Sequence, residues 1–467
     1  NSFLMSNVAL YDAKLPQKYS DWEEFATLSK PFKLTGGDGN IDKPTVDPIE
    51  VERSVARFDF KDGSPTGTPA NTYEIISTGA SNGKLQVELV RMSLVNMSNS
   101  FYYLKRVTTN EETGSDPIIC GEEDINNWVI DTDWKERHKT QKIEGEVVES
   151  LKNFYNFRLF DEKGNIEEST RSAWNNHRIE NVLSSSDNGN GYRIWRYVTE
   201  NTIPGEMHQK NAISTGIVFK GLLRAVETGT GAVNEDLWKA ISGTYDIKQV
   251  DGKPIGYVST LTYKDEQGND VTKSYPILYL FNDVLYVGWN HQIHEALVDN
   301  EGSPLADAAY KSFPDEGLPE TVDAYYQKVV EESNKVPQNE AALSAALVNF
   351  RKAATKAGFT LYNASVDEGS GEGDKSFGAG YYCYYYYWNR HNDNGRPGTM
   401  GKMEFAVVRN NIYKLSVDNI NYLGHPRRSD NDPEPPTPDS NDEEAKVYLQ
   451  VSVEVRPWTV RMNSIEF

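Results

Sequence analysis

The chain has 467 residues and a formal net charge of −21, with 69 Asp+Glu against 48 Lys+Arg. A chain this acidic is repelled by nucleic acid and by anionic membrane surfaces, and it holds no apolar run of the eighteen or so residues that a membrane-spanning helix requires. Its two cysteines, Cys120 and Cys383, stand far apart, which excludes a disulfide framework and argues against a metal or catalytic pair.

At this length two or three domains are expected, each with its own core. The chain begins at Asn1 rather than Met, as expected of a processed form whose export signal is gone. Phe3–Tyr11 is apolar and reads as a strand, and Ser20–Ser29 as a short helix with Ser20 as cap and Glu23 three residues on. A Gly/Asp/Pro loop covers Gly36–Pro48. Glu52–Phe60 places Ala56, Phe58 and Phe60 on one face of a strand, and Tyr73–Ser77, Lys84–Leu94 and Phe101–Arg106 follow as strands between Gly, Asn, Ser and Thr. Tyr192–Thr199 and Thr215–Leu223 open a second β-rich region, which sets an expected boundary at Tyr192. Asp246–Trp289 supplies further strands.

Thr321–Ser333 and Gln338–Ala357 read as helices, the second with Ala342, Ala346, Leu347, Phe350 and Ala354 at helical spacing and Gly358 where a C-cap belongs. They form a helical insertion over about residues 305–360, because strands resume at Tyr381–Trp388 and Met403–Val417. Gly369–Ser376 is a flexible loop. Arg427–Ala445 is acidic and proline-bearing and reads as an extended, solvated linker. Behind it, Val447, Leu449, Val451, Val453 and Val455 alternate with Tyr448, Gln450, Ser452, Glu454 and Arg456, the period of a strand with one buried face. Pro457 interrupts the ladder. Trp458, Val460 and Met462 continue the alternation, and Ile465 and Phe467 end it. A terminus this apolar needs burial, in its own fold or in a neighbour's.

Chemistry was weighed against plain structure at each candidate. Gly79-Ala80-Ser81-Asn82-Gly83 has the G-x-S-x-G spacing of a hydrolase nucleophile, but strands flank it on both sides and a hairpin loop explains it better. His291 and His294 have the spacing of two metal ligands on one helical turn; no third ligand is evident, so surface histidines are expected. Tyr381–Gly395 could stack sugars, although a strand whose tyrosines pack on one face and hydrogen-bond on the other suits it better. The linker carboxylates lack the order of a calcium loop. Asn96-Met97-Ser98 and Asn363-Ala364-Ser365 are glycosylation sequons. No nucleotide-binding glycine loop is present. No catalytic residue, cofactor or metal is expected.

The C-terminal third carries Trp388–Gly395 (WNRHNDNG), Met403–Val417 (MEFAVVRNNIYKLSV), Leu423–Pro426 (LGHP), the Pro/Asp linker and Val453–Phe467 (VEVRPWTVRMNSIEF). Together these resemble the type V fimbrillins of Bacteroidales, in particular the major subunit of the minor (short) fimbriae. Val51–Phe60 (VERSVARFDF), Tyr197–Pro204 (YVTENTIP) and Thr215–Gly221 (TGIVFKG) support the resemblance further up.

The resemblance implies a mostly β fold of two transthyretin-like β-sandwich domains, expected here as residues 1–191 and 192–426. The acidic linker 427–446 and a C-terminal strand segment 447–467 complete it. It implies a lipoprotein precursor exported to the outer membrane and cut by an Arg-specific protease, which removes an N-terminal strand and opens a groove. The C-terminal strand of another subunit then enters that groove. The polymerisation residues would be Val447, Leu449, Val451, Val453, Val455, Trp458, Val460, Met462, Ile465 and Phe467. Arg53 and Arg57 lie in a strand and are not nominated as the cut site. The implied partners are other copies of the chain head-to-tail, accessory and anchor subunits, and host or bacterial surface proteins or glycans, with no nucleic acid. Inserting a strand into an open sheet restores its ladder and buries alternating side chains, and head-to-tail donation gives filaments. The rival readings are a monomeric secreted β-sandwich that binds host glycan or protein through Tyr381–Trp388, and a hydrolase using Ser81.

Overall fold

The computed structural model describes residues 4–8, 51–110, 114–121, 127–134, 143, 146–166, 174–203, 205, 208–265, 268–300, 302–367, 376–443 and 446–457. The strands that organise it are, in chain order, β1 (Met5–Asn7), β2 (Val51–Arg53), β3 (Val55–Lys61), β4 (Thr72–Glu74), β5 (Leu85–Val95), β6 (Asn175–Arg178), β7 (Arg193–Thr199), β8 (Gly216–Ala225), β9 (Leu278–Phe281), β10 (Val284–Val287), β11 (Thr360–Tyr362), β12 (Ala364–Val366), β13 (Ala379–Trp388), β14 (Asn411–Ile420), β15 (His425–Pro426) and β16 (Leu449–Pro457). Three helices matter to the core: α1 (Glu235–Ser242), α2 (Val322–Ser333) and α3 (Glu340–Lys356). The fold is mostly β, as expected.

Two sheets face each other. The larger runs β6-β5-β8-β13-β12, with β4 on β5 and β15 on β13, all antiparallel. The smaller runs β7-β3-β14-β16, with β3 and β14 parallel at its centre and the outer pairs antiparallel. The alternation in β3 decides its orientation. Ala56, Phe58 and Phe60 are fully buried, and Phe60 meets Phe219 of β8 across the gap with ring centroids 6.0 Å apart. On the opposite face of β3, Arg57 and Asp59 pair with each other at 2.9 Å. Tyr413, Leu415 and Val417 of β14 join the same core, as do Cys383, Tyr385 and Tyr387 of β13. At Gly221 in β8 an added Cβ would lie 2.4 Å from Val87 Cγ1, so this close approach of strands admits only glycine.

Helices α2 and α3 lie between β10 and β11. Thr321 and Asn339 cap α2 and α3 by accepting from the Ala324 and Ala342 amides at 3.1 Å each, and Gly358 ends α3 at a φ of +93°. The helices cover the sheet β10-β9-β11 through a second core. Its centre is Trp289, stacked on Tyr326 with centroids 5.5 Å apart and edge-on to Phe350 at 5.3 Å.

Three expectations change. A boundary at Tyr192 does not separate two sandwiches among the described residues, because β3 pairs with β7 and β5 with β8 across it, over one shared core. Sequence patterning names strands but not their long-range partners, and here the partners interleave. Phe101–Arg106 is not a strand; only its last residue enters one, Arg106–Thr108. The acidic segment after Arg427 is not a solvated tether. Asn431, Asp432 and Asp442 are buried, Asp432 drawn in by His425 and Asp442 by Ser214. Of the N-terminal expectations, Phe3–Tyr11 yields β1, and the Ser20–Ser29 helix lies outside the described residues.

Buried charges brace the join between the sheets and the N-terminal pair β1-β2. Arg409 and Glu200 have no exposed side-chain surface, and Arg409 Nε donates to Glu200 Oε2 at 3.0 Å. Arg409 also donates to the backbone carbonyls of Tyr103 at 3.1 Å and Tyr102 at 2.6 Å. Nearby, Lys105 pairs with Glu52 of β2 at 3.2 Å.

Candidate functional site

The C-terminal strand β16 forms an edge of the smaller sheet. It pairs antiparallel with β14, with Val451 opposite Val417, Val453 opposite Leu415 and Val455 opposite Tyr413. Among the described residues no strand pairs with its outer edge. Leu449 is buried, Val451, Val453 and Val455 are half-buried against the main core, and Gln450, Ser452, Glu454 and Arg456 are exposed. The alternation read from the sequence is therefore present, at half depth. Val447, just before the strand, is 46% exposed. Trp458, Val460, Met462, Ile465 and Phe467 lie outside the described residues.

An edge strand holding three half-buried valines and one buried leucine gains roughly 4–8 kcal/mol from apolar contact. That is about two thirds of what the same side chains would gain in a closed slot. Besides its ladder with β14, the strand is tied at its root. The Asn421 amide donates to the Tyr448 carbonyl and its side chain to the Val447 carbonyl, both at 2.9 Å. The Tyr448 ring lies 4.5 Å from His425, which is itself paired with Asp432 at 2.5 Å. Beside the root is an open cleft of about 150 Å³, walled by Tyr386, Trp388 and Phe405 on one side and the start of β16 on the other.

Residues 379–464 match the family described as major fimbrial subunit protein type IV, Fimbrillin, C-terminal. This part of the chain is similar to fimbrillins. The fimbrillin-like region takes in β13, β14, β15, β16 and the segment between β15 and β16, so the edge strand and the strand it pairs with both belong to it. The search of curated proteins finds no match to the chain.

The tyrosine strand at the start of the fimbrillin-like region is no sugar platform. It is β13, interior to the larger sheet, and the side chains from Tyr381 to Trp388 are buried except the half-buried Tyr386. Two of its hydroxyls are spent on nearby backbone carbonyls: Tyr381 donates to Pro276 at 2.7 Å and Tyr382 to Gly378 at 2.8 Å. Cys383 lies among them, and burial pushes its thiol up to about 12, so it is not a thiolate at neutral pH.

The other candidates are structural. Gly79–Asn82 makes one helical turn rather than a plain hairpin loop. Ser81 is exposed on it, and Asn82 is buried, giving and taking 2.8 Å hydrogen bonds with the Leu285 backbone. Ser81→Ala should leave stability within about 0.5 kcal/mol of the parent, and should leave assembly unchanged. An esterase activity lost in that variant would reopen the hydrolase reading. The sequon residue Asn96 is buried, and its amide donates to the carbonyls of Asn211 and Ser214 at 2.8 and 3.0 Å.

His291 is 8% exposed rather than a surface residue, and it pairs with Asp236 at 3.0 Å. His294 meets Asp323 at 2.8 Å. Among the described residues no cluster of three or more His, Cys, Asp or Glu side chains is placed to hold a metal. The Asp323 hydrogen bond raises the pKa of His294 above 6.5 against the opposing effect of burial. For Asp323, burial pushes up but is outweighed by hydrogen bonds from His294, Trp289 and Gln327, which leave it below 3.8. A raised histidine stabilises below its unfolded value and loses that contribution as pH rises through the folded value. A lowered carboxylate stabilises above its unfolded value and loses the contribution as pH falls. The thermal stability lost in Asp323→Asn should therefore be greatest near pH 5–6 and shrink toward pH 9, as melting curves across that range would show. A pH-independent loss would mean the pair carries no proton linkage.

Sequence reading missed Glu200 and Arg409 as partners, although both stand in motifs that carry the fimbrillin resemblance, YVTENTIP and RNNIYKL. A carboxylate and a guanidinium each placed next to a strand of alternating apolar residues was the available signal.

Proposed function

We propose that the chain is a non-enzymatic structural subunit of a surface fimbria, of the type V kind and akin to the shaft subunit of short fimbriae, and that it polymerises by giving β16 and the residues after it to a neighbouring copy. The observation that carries this reading is the position of β16. Within the fimbrillin-like region, a strand of alternating aliphatics sits at a sheet edge with one ladder unpaired among the described residues and its valines only half covered. Moved into an open slot between two strands, it gains a second ladder, and each valine passes from half to full burial for roughly 1 kcal/mol more. Exchange is then downhill although the strand has a place in its own sheet. The slot in the neighbour would open when an N-terminal strand is cut away. Export as a lipoprotein, anchor and accessory subunits, and adhesion to host or bacterial surfaces complete the proposal.

The test is removal of Val447–Phe467, read by electron microscopy and size-exclusion chromatography. The shortened chain should stay monomeric and form no filaments. Because the deletion uncovers β14, a second arm adds a synthetic peptide of residues 447–467 in excess to the full-length, processed protein. Growth should stop early, with short filaments capped by peptide. Filaments from the shortened chain, or growth indifferent to the peptide, would overturn the assignment.

A further inference from the structure

The acidic segment between β15 and β16 ends in a clamp. The Asn211 amide donates to the Ser440 carbonyl at 3.0 Å, and the Asp442 amide to the Gln209 carbonyl at 3.1 Å, so that Lys210 and Asn441 form an antiparallel bridge. Lys210 Nζ reaches the Asp439 carbonyl at 3.0 Å and Asn441 Oδ1 at 2.8 Å. The Ser214 hydroxyl donates to the buried Asp442 carboxylate. Arg390 joins Glu443 at 2.7 Å to Glu404, whose side chain is buried. Upstream, Asp432 is held by His425, and the Thr355 hydroxyl donates to the Asp430 carbonyl at 3.1 Å.

We infer that this segment is a fixed strap that stays with its own subunit, and that the part exchanged between subunits begins only after Glu443. This rests on the strand-exchange reading above and adds where the exchange pivots. The contrast along the chain supports it. Up to Glu443 the segment is held by buried ion pairs and backbone bonds to two separate loops. Beyond it, among the described residues, the hold is a single ladder on half-exposed valines, the Asn421 bonds and His425 ring contact at the root, and a surface contact of Lys446 with Glu434 at 3.4 Å, with no buried ion pair. Pulling the strap away would strip Ser214, Lys210 and Arg390 of their partners Asp442, Asn441 and Glu443 and break both backbone bonds, a loss that a strand entering a groove does not restore. The reach of the donated strand is then set by about six residues from Glu443 to Leu449, some 20 Å when extended. Neighbouring subunits must abut, with the acceptor slot opening close to the donor's strap.

Two pairs of cysteine substitutions separate the possibilities. Lys210→Cys with Asn441→Cys locks the strap across its bridge. Ser416→Cys with Ser452→Cys locks β16 to β14 at paired positions on the outward face. Cross-strand neighbours are close enough to form a disulfide, and the native Cys120 and Cys383 are both buried. Each protein is processed, oxidised or reduced, and scored for filaments, with the reduced forms polymerising as controls. The expected result is normal filaments with the strap locked and none with the strand locked. If both locks abolish filaments, the strap must leave and this inference fails while strand exchange stands. If neither lock does, strand exchange itself is wrong and the inference falls with it.

Discussion

Arg409→Ala should cost about 3–5 kcal/mol of folding stability, the usual effect of removing one partner from a buried ion pair. Arg409 and Glu200 have no exposed side-chain surface, and the guanidinium bonds both carboxylate oxygens, at 3.0 and 3.1 Å, besides two backbone carbonyls. Alanine leaves the Glu200 carboxylate in the dark with no counter-charge, and leaves Tyr102 and Tyr103 carbonyls without their donor. Urea unfolding followed by tryptophan fluorescence would measure the loss. Arg409→Met combined with Glu200→Gln should recover a large part of it, because the stranded charge is gone. A single-variant loss under about 1 kcal/mol would show that water reaches the pair.

Val453→Asp should abolish filament formation while leaving most of the monomer folded. In the free subunit Val453 sits at a sheet edge, half-buried opposite Leu415. A carboxylate there can turn to solvent, at a cost of about 1–3 kcal/mol. In a closed acceptor slot the same charge would have no route to water, and its desolvation exceeds anything the remaining valines gain. Ser452→Ala, on the exposed face, is the matched control and should assemble as the parent does. Circular dichroism would confirm the fold and microscopy would count filaments. Normal filaments from Val453→Asp would remove β16 from the polymerisation machinery.

What the sequence made legible was local. Period two in Val55–Lys61 and Leu449–Val455, and helical spacing with caps in Glu340–Lys356, are short-range patterns that burial alone enforces. The tyrosine strand was readable for the same reason, since its side chains serve a sheet covered on both faces. Pairing was not legible. Nothing in Val55–Lys61 names Arg193–Thr199 and Asn411–Ile420 as its neighbours, so strands opening at Tyr192 look the same whether they begin a new domain or complete an earlier sheet. The acidic strap misled for a different reason. Asp, Asn and Pro signal solvent in isolation, and only the long-range partners Lys210, Ser214 and Arg390 turn those side chains inward.

The parallel pairing of β3 with β14 has a consequence for how the protein is made. Arg53, at the entrance to β3, hydrogen-bonds Asn410, at the entrance to β14, across 357 positions of chain. At ordinary synthesis rates those positions take roughly 20–70 s to appear. Through that interval β3 has a neighbour on one side only, and the centre of the smaller sheet stays open. Loop closure over such a distance is slow, and nascent chains with open apolar edges aggregate. The smaller sheet therefore cannot close before β14 has been made.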